Sequence, residues 1–191
     1  DAYLDYEKVI EAAKEIGAQA IHPGYGFLAE NADFVRRCEE EGITFIGPSS
    51  DVISLLGDKI EARKAMEAAG LPVAKGSSEP VASSSEAATI ATEIGYPVII
   101  KAAAGGGGIG MQIVHQESEF DSALNLCQSR ARSAFGDERV FIEKYIEGAQ
   151  HIEFQVLADG KNAIHFGERF CSIQRRHQKL LEEGPWLSPE V

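Results

Sequence analysis

The stretch that most constrains the fold is Tyr96-Pro97-Val98-Ile99-Ile100-Lys101-Ala102-Ala103-Ala104-Gly105-Gly106-Gly107-Gly108-Ile109-Gly110-Met111-Gln112-Ile113-Val114. Two apolar, β-branched runs flank five glycines in six positions. Such density gives up backbone rigidity in return for positive φ angles and for close approach of main-chain N–H groups to another molecule. The spacing Gly105-x-Gly107-x-x-Gly110 superficially matches a dinucleotide fingerprint. That fingerprint requires a helix directly after the glycines, whose N-terminus holds the pyrophosphate, whereas Met111 to Val114 reads as a second strand. No Gly-Lys-Ser/Thr closes the run, so it is not a P-loop either. A β-hairpin flap over a phosphate is the remaining reading, with Lys101 at its entrance as the neutralising cation. A plain hairpin tip would be a costly use of so much glycine.

Ahead of the flap, helix and strand patterns alternate. Asp5 reads as the N-cap of a helix with the stripe Tyr6, Val9 or Ile10, Ala13 and Ile16, closed by Gly17. A strand, Ala18 to Ile21, leads into the turn-rich loop His22 to Asn31, and Asn31 caps a helix carrying Phe34, Val35 and Cys38 before a strand at Ile43 to Ile46. This predicts a parallel, doubly wound, Rossmann-like α/β fragment over residues 1–50, with its loop on the side where ligands sit in such sheets. Two short helices, capped near Ser50 and by Asp58, form a helical connector over 51–72. Residues 73–145 read as a compact α+β lid unit in the order β, α, β-hairpin, α, β. It opens around Leu71 to Ala74, has helices at about Glu86 to Ile94 and Ser118 to Phe135, and ends in a strand from Arg139 to Tyr145. Residues 146–191 start a further, incomplete sheet. There Ile152, Phe154, Val156 and Ala158 share one face, His151, Glu153, Gln155 and Leu157 the other, and Asp159-Gly160 signals a hairpin into Ala163 to Glu168.

The 191 residues carry a formal charge of −12. That argues against nucleic acid or an anionic membrane as the main partner while leaving room for a local phosphate site. Cys38, Cys127 and Cys171 are widely spaced and odd in number, so neither a disulfide framework nor a zinc site is indicated, and a reducing compartment fits. No apolar run is long enough to span a bilayer as a helix. The chain opens and stops as if cut from a longer protein.

Individual residues leave alternatives. Lys59, in the first turn of the helix after Gly57-Asp58, reads by default as a surface lysine. Glu143-Lys144-Tyr145-Ile146 offers backbone N–H and C=O groups to a nucleobase edge or is a solvated strand end. His151, Gln174 and His177 line a crevice or face water. No metalloprotease or Ser/His/Asp arrangement is present.

Taken together, the motifs resemble the biotin carboxylase family of the ATP-grasp superfamily. The carriers are His22-Pro23-Gly24-Tyr25-Gly26-Phe27-Leu28-Ala29-Glu30-Asn31, Phe45-Ile46-Gly47-Pro48, Gly57-Asp58-Lys59, Gly95 to Ala102, Gly105 to Met111, Glu143-Lys144-Tyr145, His151 to Gln155, and Glu168 to Lys179. They stand in family order and cover nearly the whole chain. The resemblance implies that Lys59 and Lys101 contact ATP phosphates, and that Gly107, Gly108 and Met111 fold over them. Glu143, Lys144 and Ile146 would hold adenine and ribose, with His151, Gln174 and His177 completing the pocket. Lys179 would stand near bicarbonate and the γ-phosphate, as a catalytic residue beside Lys101. Implied cofactors and substrates are ATP, Mg2+ or Mn2+, bicarbonate, and biotin as carboxyl acceptor, with metal ligands supplied from beyond Val191.

The implied partners are a biotin carboxyl carrier protein or domain and a carboxyltransferase, in a homodimer or larger complex, with no nucleic acid or membrane. The implied setting is the cytoplasm, or the mitochondrial matrix in a eukaryote. The assembly would be an acyl-CoA or pyruvate carboxylase, with acetyl-CoA carboxylase of fatty acid biosynthesis among the possibilities. Another ATP-grasp ligase, a carbamoyl phosphate synthetase, or a non-catalytic nucleotide-binding regulatory module are the competing readings. Three positions depart from the family pattern: Ile109 replaces an arginine, Ala104 a glycine, and Gln150 an arginine.

Overall fold

The computed structural model describes residues 3–104, 108–175 and 178–185. In the first unit, helix α1 (Tyr6–Glu15) is capped by Asp5, whose side chain accepts a hydrogen bond from the Lys8 amide. Helix α2 (Ala32–Glu40) is capped by Asn31, which accepts from the Phe34 amide at 2.8 Å. Between and after them, β1 (Ala20–Ile21) and β2 (Thr44–Phe45) pair in parallel. Ile10, Ala13, Leu28, Phe34, Cys38 and Ile43 form the core of this unit. The helix–strand alternation thus yields the expected parallel pairing, over shorter strands than the periodicity indicated. Ile16 is a correction: it is 80% exposed, because the helix ends at Glu15 and the residue falls outside the stripe.

Helices α3 (Ser50–Gly57) and α4 (Lys59–Ala68) follow, capped by Ser49 and Asp58. The lid unit is a three-stranded antiparallel sheet in the order β4-β3-β5, made of β3 (Val98–Ala102), β4 (Met111–Val114) and β5 (Val140–Lys144). Helices α5 (Ser84–Ile94) and α6 (Phe120–Phe135) cover one face. Val98 and Ile100, with Val140 and Ile142 from the neighbouring strand, meet Ala87, Ala91, Phe120, Leu124 and Cys127 there. At roughly 1.5–3 kcal/mol for each fully buried large apolar side chain, this layer dominates the unit's stability.

The strand expected around Leu71 to Ala74 does not form. Instead, residues 75–81 run along the outer edge of β5: Ser77 N donates to Ile142 O at 2.8 Å, Val81 N to Val140 O at 2.9 Å, and Lys144 N to Lys75 O at 2.7 Å. The Ser77 hydroxyl takes the Ile142 amide at 3.1 Å, and a single bridge joins Gly76 to Glu143. A side-chain acceptor therefore replaces a regular ladder.

Strands β6 (Ile152–Ala158) and β7 (Ala163–Phe170) form an antiparallel ribbon with a register shift between Phe154 and Val156. Asp159 organises the turn by accepting the Lys161 and Asn162 amides at 2.9 and 2.7 Å. The β6 face that carries Phe154 and Val156 is open, both residues being more than half exposed, because among the described residues no second layer packs on this ribbon. Two short paired strands follow, β8 (Gln174–Arg175) and β9 (Gln178–Lys179).

Candidate functional site

Strand alternation builds the site. Since Val98, Ile100 and Ala102 point into the helical layer, Ile99 and Lys101 must face the other way, and on β5 the same rule turns Phe141 and Glu143 to that side. A cavity of about 470 Å³ lies there, lined by Ala74, Ile99, Lys101, Met111, Glu143, Lys144, Tyr145, Ile146, Gly148 and Ala149. Lys101 is directly opposite Phe141 on one neighbour and Met111 on the other, which leaves Glu143 one diagonal step away, within reach of a long side chain. Lys101 Nζ meets Glu143 Oε2 at 2.5 Å. The cavity therefore gathers Lys101, Met111, Glu143, Lys144 and Ile146, five of the residues singled out in the sequence.

Lys144 serves differently from its neighbours. Its Nζ donates to the carbonyls of Gly95 and Tyr96, both at 2.9 Å. Its ammonium thus clasps the turn that launches β3, and its own amide is taken by Lys75.

Lys59 comes from the first turn of α4. Asp58 accepts the Ile60 amide at 2.9 Å and receives Arg139 at 2.9 Å, and Lys59 N donates to Ala103 O at 3.1 Å. Ile60, Ala103 and Phe141 pack into a small core that ties this helix start to the end of β3. Burial, and next the charge of Lys101, hold the Lys59 ammonium below its ordinary range. An anion beside Lys59 and Lys101 would favour the charged form of Lys59. Lys59 also lines a neighbouring cleft of about 510 Å³ with Ala29, Glu30 and Pro48, at the loop expected on the ligand side.

His151, Gln174 and Lys179 belong to a second cluster. Gln174 Nε2 lies 2.9 Å from His151 Nδ1 and 2.9 Å from the Cys171 carbonyl. Lys179 Nζ bonds Glu153 Oε2 and Glu182 Oε1, both at 2.8 Å. Arg169 bonds Glu153 and lies 3.4 Å from Glu182 Oε2. The hydrogen bond from Lys179, with Arg169 acting the same way against the opposing effect of burial, pushes the Glu153 carboxyl down to about 2. Lys179 is correspondingly held above its ordinary range, first by Glu153 and then by Glu182.

Glu153, Cys171 and Glu182 bring ligand atoms within 4.8 Å of one another. Both carboxylates already face Arg169 and Lys179, and burial pushes the Cys171 thiol up, so the set suits side-chain cations and not Mg2+.

A pH dependence follows from Glu153. Its folded value, about 2, lies below its ordinary 4.5, so its stabilisation is present above about pH 4.5 and is lost as pH falls towards 2. Glu153→Gln is expected to flatten that part of the acid denaturation profile in urea titrations between pH 5 and pH 2. An unchanged slope would contradict the ion network.

Gly107 and His177 lie outside the described residues. Gly108 and Gly110 take φ values of +78° and +72°. The partners Arg63, Glu153, Arg169 and Glu182 received no role from sequence. Glu153, by sharing a strand face with His151, and Arg169, inside the Glu168 to Lys179 motif, stood in stretches the sequence singled out, whereas Arg63 and Glu182 did not.

Known proteins share much of this sequence and architecture. The family model described as "Carbamoyl-phosphate synthase L chain, ATP binding domain" matches residues 58–189, more than half of the chain. The "Biotin carboxylase, N-terminal domain" model matches residues 1–53. The chain belongs to this family of ATP-binding domains, with the biotin carboxylase N-terminal domain ahead of it.

Among curated relatives, it is 56% identical to a pyruvate carboxylase subunit of Methanothermobacter thermautotrophicus, over 100% of this chain and 39% of that protein. It is 53% identical to biotin carboxylase of Pseudomonas aeruginosa, over 96% of this chain and 41% of that one. The biotin carboxylase domain of Hydrogenobacter thermophilus 2-oxoglutarate carboxylase, solved with MgADP, ADP and bicarbonate, superimposes with a TM-score of 0.93 at 53% identity, covering 100% of this chain and 43% of that one. The chain thus spans about two fifths of the length of these relatives.

Proposed function

We propose that this chain forms the ATP-holding half of a biotin carboxylase site. The observation that carries the reading is the cavity in which Lys101, Met111, Glu143, Lys144 and Ile146 converge beside Lys59. In the proposed reaction, a bicarbonate oxygen attacks the γ-phosphorus of ATP, the bond to the β-phosphate oxygen breaks, and ADP leaves. The C–O bond that joins the carboxyl carbon to phosphate in the resulting carboxyphosphate then breaks, CO2 bonds to a ureido nitrogen of biotin, and the proton of that nitrogen leaves with the released phosphate. Phosphoryl transfer of this kind depends on positioning and on neutralising the phosphate oxygens. Lys59 and Lys101 supply two of the charges, and Ile99 and Met111 give the cavity an apolar wall. A divalent cation, when bound, would supply further positive charge against the phosphate oxygens. We place its carboxylate ligands outside this chain, since Glu153 and Glu182 are neutralised by side chains.

The biotin carboxylase N-terminal match, which includes the His22 to Asn31 loop, favours this reading over carbamoyl phosphate synthesis or another ATP-grasp ligation. The relatives include pyruvate and 2-oxoglutarate carboxylases, so we assign the choice of acceptor to a carboxyltransferase that receives carboxybiotin from a carrier domain. A dimer in the cytoplasm, or in a mitochondrial matrix, is part of the same proposal. The test is ADP release by the complete protein. It is expected to require bicarbonate and to rise when free biotin is added, and hydrolysis indifferent to both would overturn the assignment.

A further inference from the structure

Arg63, on α4, is a cation for which none of the site motifs accounts. Its side chain is 12% exposed, and its Nη1 is buried with no hydrogen-bond partner among the described residues. That nitrogen points at Glu143 Oε1 from 3.9 Å, while Lys101 Nζ holds the other carboxylate oxygen at 2.5 Å. The guanidinium lies directly under Gly76, where a methyl group would overlap Arg63 Nη1 and the Ile142 carbonyl and touch Glu143 Cγ at 3.0 Å. The chain thus leaves out a side chain where the guanidinium comes up against Glu143. A buried guanidinium nitrogen left unbonded is costly, and a displacement of about 1 Å would bring it to hydrogen-bond distance of the carboxylate.

We propose that Arg63 is a positioning residue that takes over Glu143 when Lys101 turns to a nucleotide phosphate. This rests on the reading of the cavity as an ATP site. Lys101 cannot hold the half-buried Glu143 and a phosphate with the same strength at once. Without a second cation, each phosphate contact of Lys101 would leave Glu143 uncompensated and competing for the same ammonium. Arg63 removes that competition, because its geometry lets one carboxylate oxygen keep a cationic partner while the other is released. The hand-over is between side chains only, and no proton or bond is exchanged.

The test uses MgATP with the complete protein. Arg63→Met, which keeps length and apolar packing, is expected to raise the Kd for MgATP roughly 10- to 30-fold while kcat at saturating ATP stays within about twofold. Arg63→Lys should recover most of the affinity, and Arg63→Met/Glu143→Gln should bind more tightly than Arg63→Met alone, since the competing charge is gone. A merely structural role predicts a lower melting temperature with unchanged affinity and no rescue by Glu143→Gln, and that pattern would overturn the proposal. If Arg63→Met does not fold, Arg63→Gln carries the same comparison. Wild-type protein that binds no MgATP removes the ATP reading together with this one. Wild-type protein that binds it while the neutral Arg63 variants bind equally well removes this one alone.

Discussion

Replacing Lys101 by alanine in the complete protein is expected to weaken MgATP binding by about 100-fold and to bring carboxylation of biotin down with it. The magnitude comes from one charge-assisted hydrogen bond to phosphate, worth roughly 2–3 kcal/mol, which corresponds to a factor of about 30 to 150. The direction of the side chain is set by its strand: β3 is buried on its helical face, so Lys101 has one direction available, and the diagonal step to Glu143 fixes where the ammonium stands. Its loss also leaves Glu143 with Arg63 at 3.9 Å and the charge of Lys59 near it. Calorimetric titration with MgATP measures the effect. An unchanged Kd would remove Lys101 from the site.

The second large effect is expected at Phe141, which is 1% exposed and packs with Ile60 and Ala103. Phe141→Ala should cost about 3–5 kcal/mol of stability, the usual range for emptying a buried aromatic position. Phe141→Leu should cost much less. The truncation should reach function too, because this small core ties the start of α4, and with it Lys59, to the end of β3 that carries Lys101. Urea unfolding gives the stability change, and MgATP titration of the folded variant gives the coupling. A destabilised variant with wild-type affinity would mean that the Lys59 amide on Ala103 and the Asp58–Arg139 pair hold the helix start by themselves.

How much of this was legible in the sequence differs from element to element. The caps Asp5, Asn31 and Asp58 were readable because a short polar side chain before an apolar period has one common use, and each accepts the amides that use requires. The flap strands were readable because the glycines interrupt two apolar runs and Met111 resumes a strand. Lys101 stood out for the same reason, as the single cation on an otherwise buried strand.

The edge of β5 was not readable. Residues 75–81 cover it through Ser77 and a single bridge at Gly76, and nothing local distinguishes that from a surface loop. Arg63 was hidden as one charge among several on an exposed-looking helix, since its meaning depends on Gly76, a neighbour distant in sequence. For β6, alternation was legible but burial was not, because period two says which side chains share a face and not what lies against it. Lys144 read as a nucleotide contact, and its ammonium turned out to be committed to the Gly95 and Tyr96 carbonyls, a long-range contact invisible from its neighbours.

The most direct test is amide hydrogen exchange of the complete protein with and without MgATP. If nucleotide occupies the cavity lined by Lys101, Met111 and Glu143, protection should concentrate in two segments, 99–111 and 143–149, with a smaller effect at the start of α4 around Lys59. Protection confined to other parts of the chain, or an exchange pattern that MgATP leaves untouched, would contradict the site.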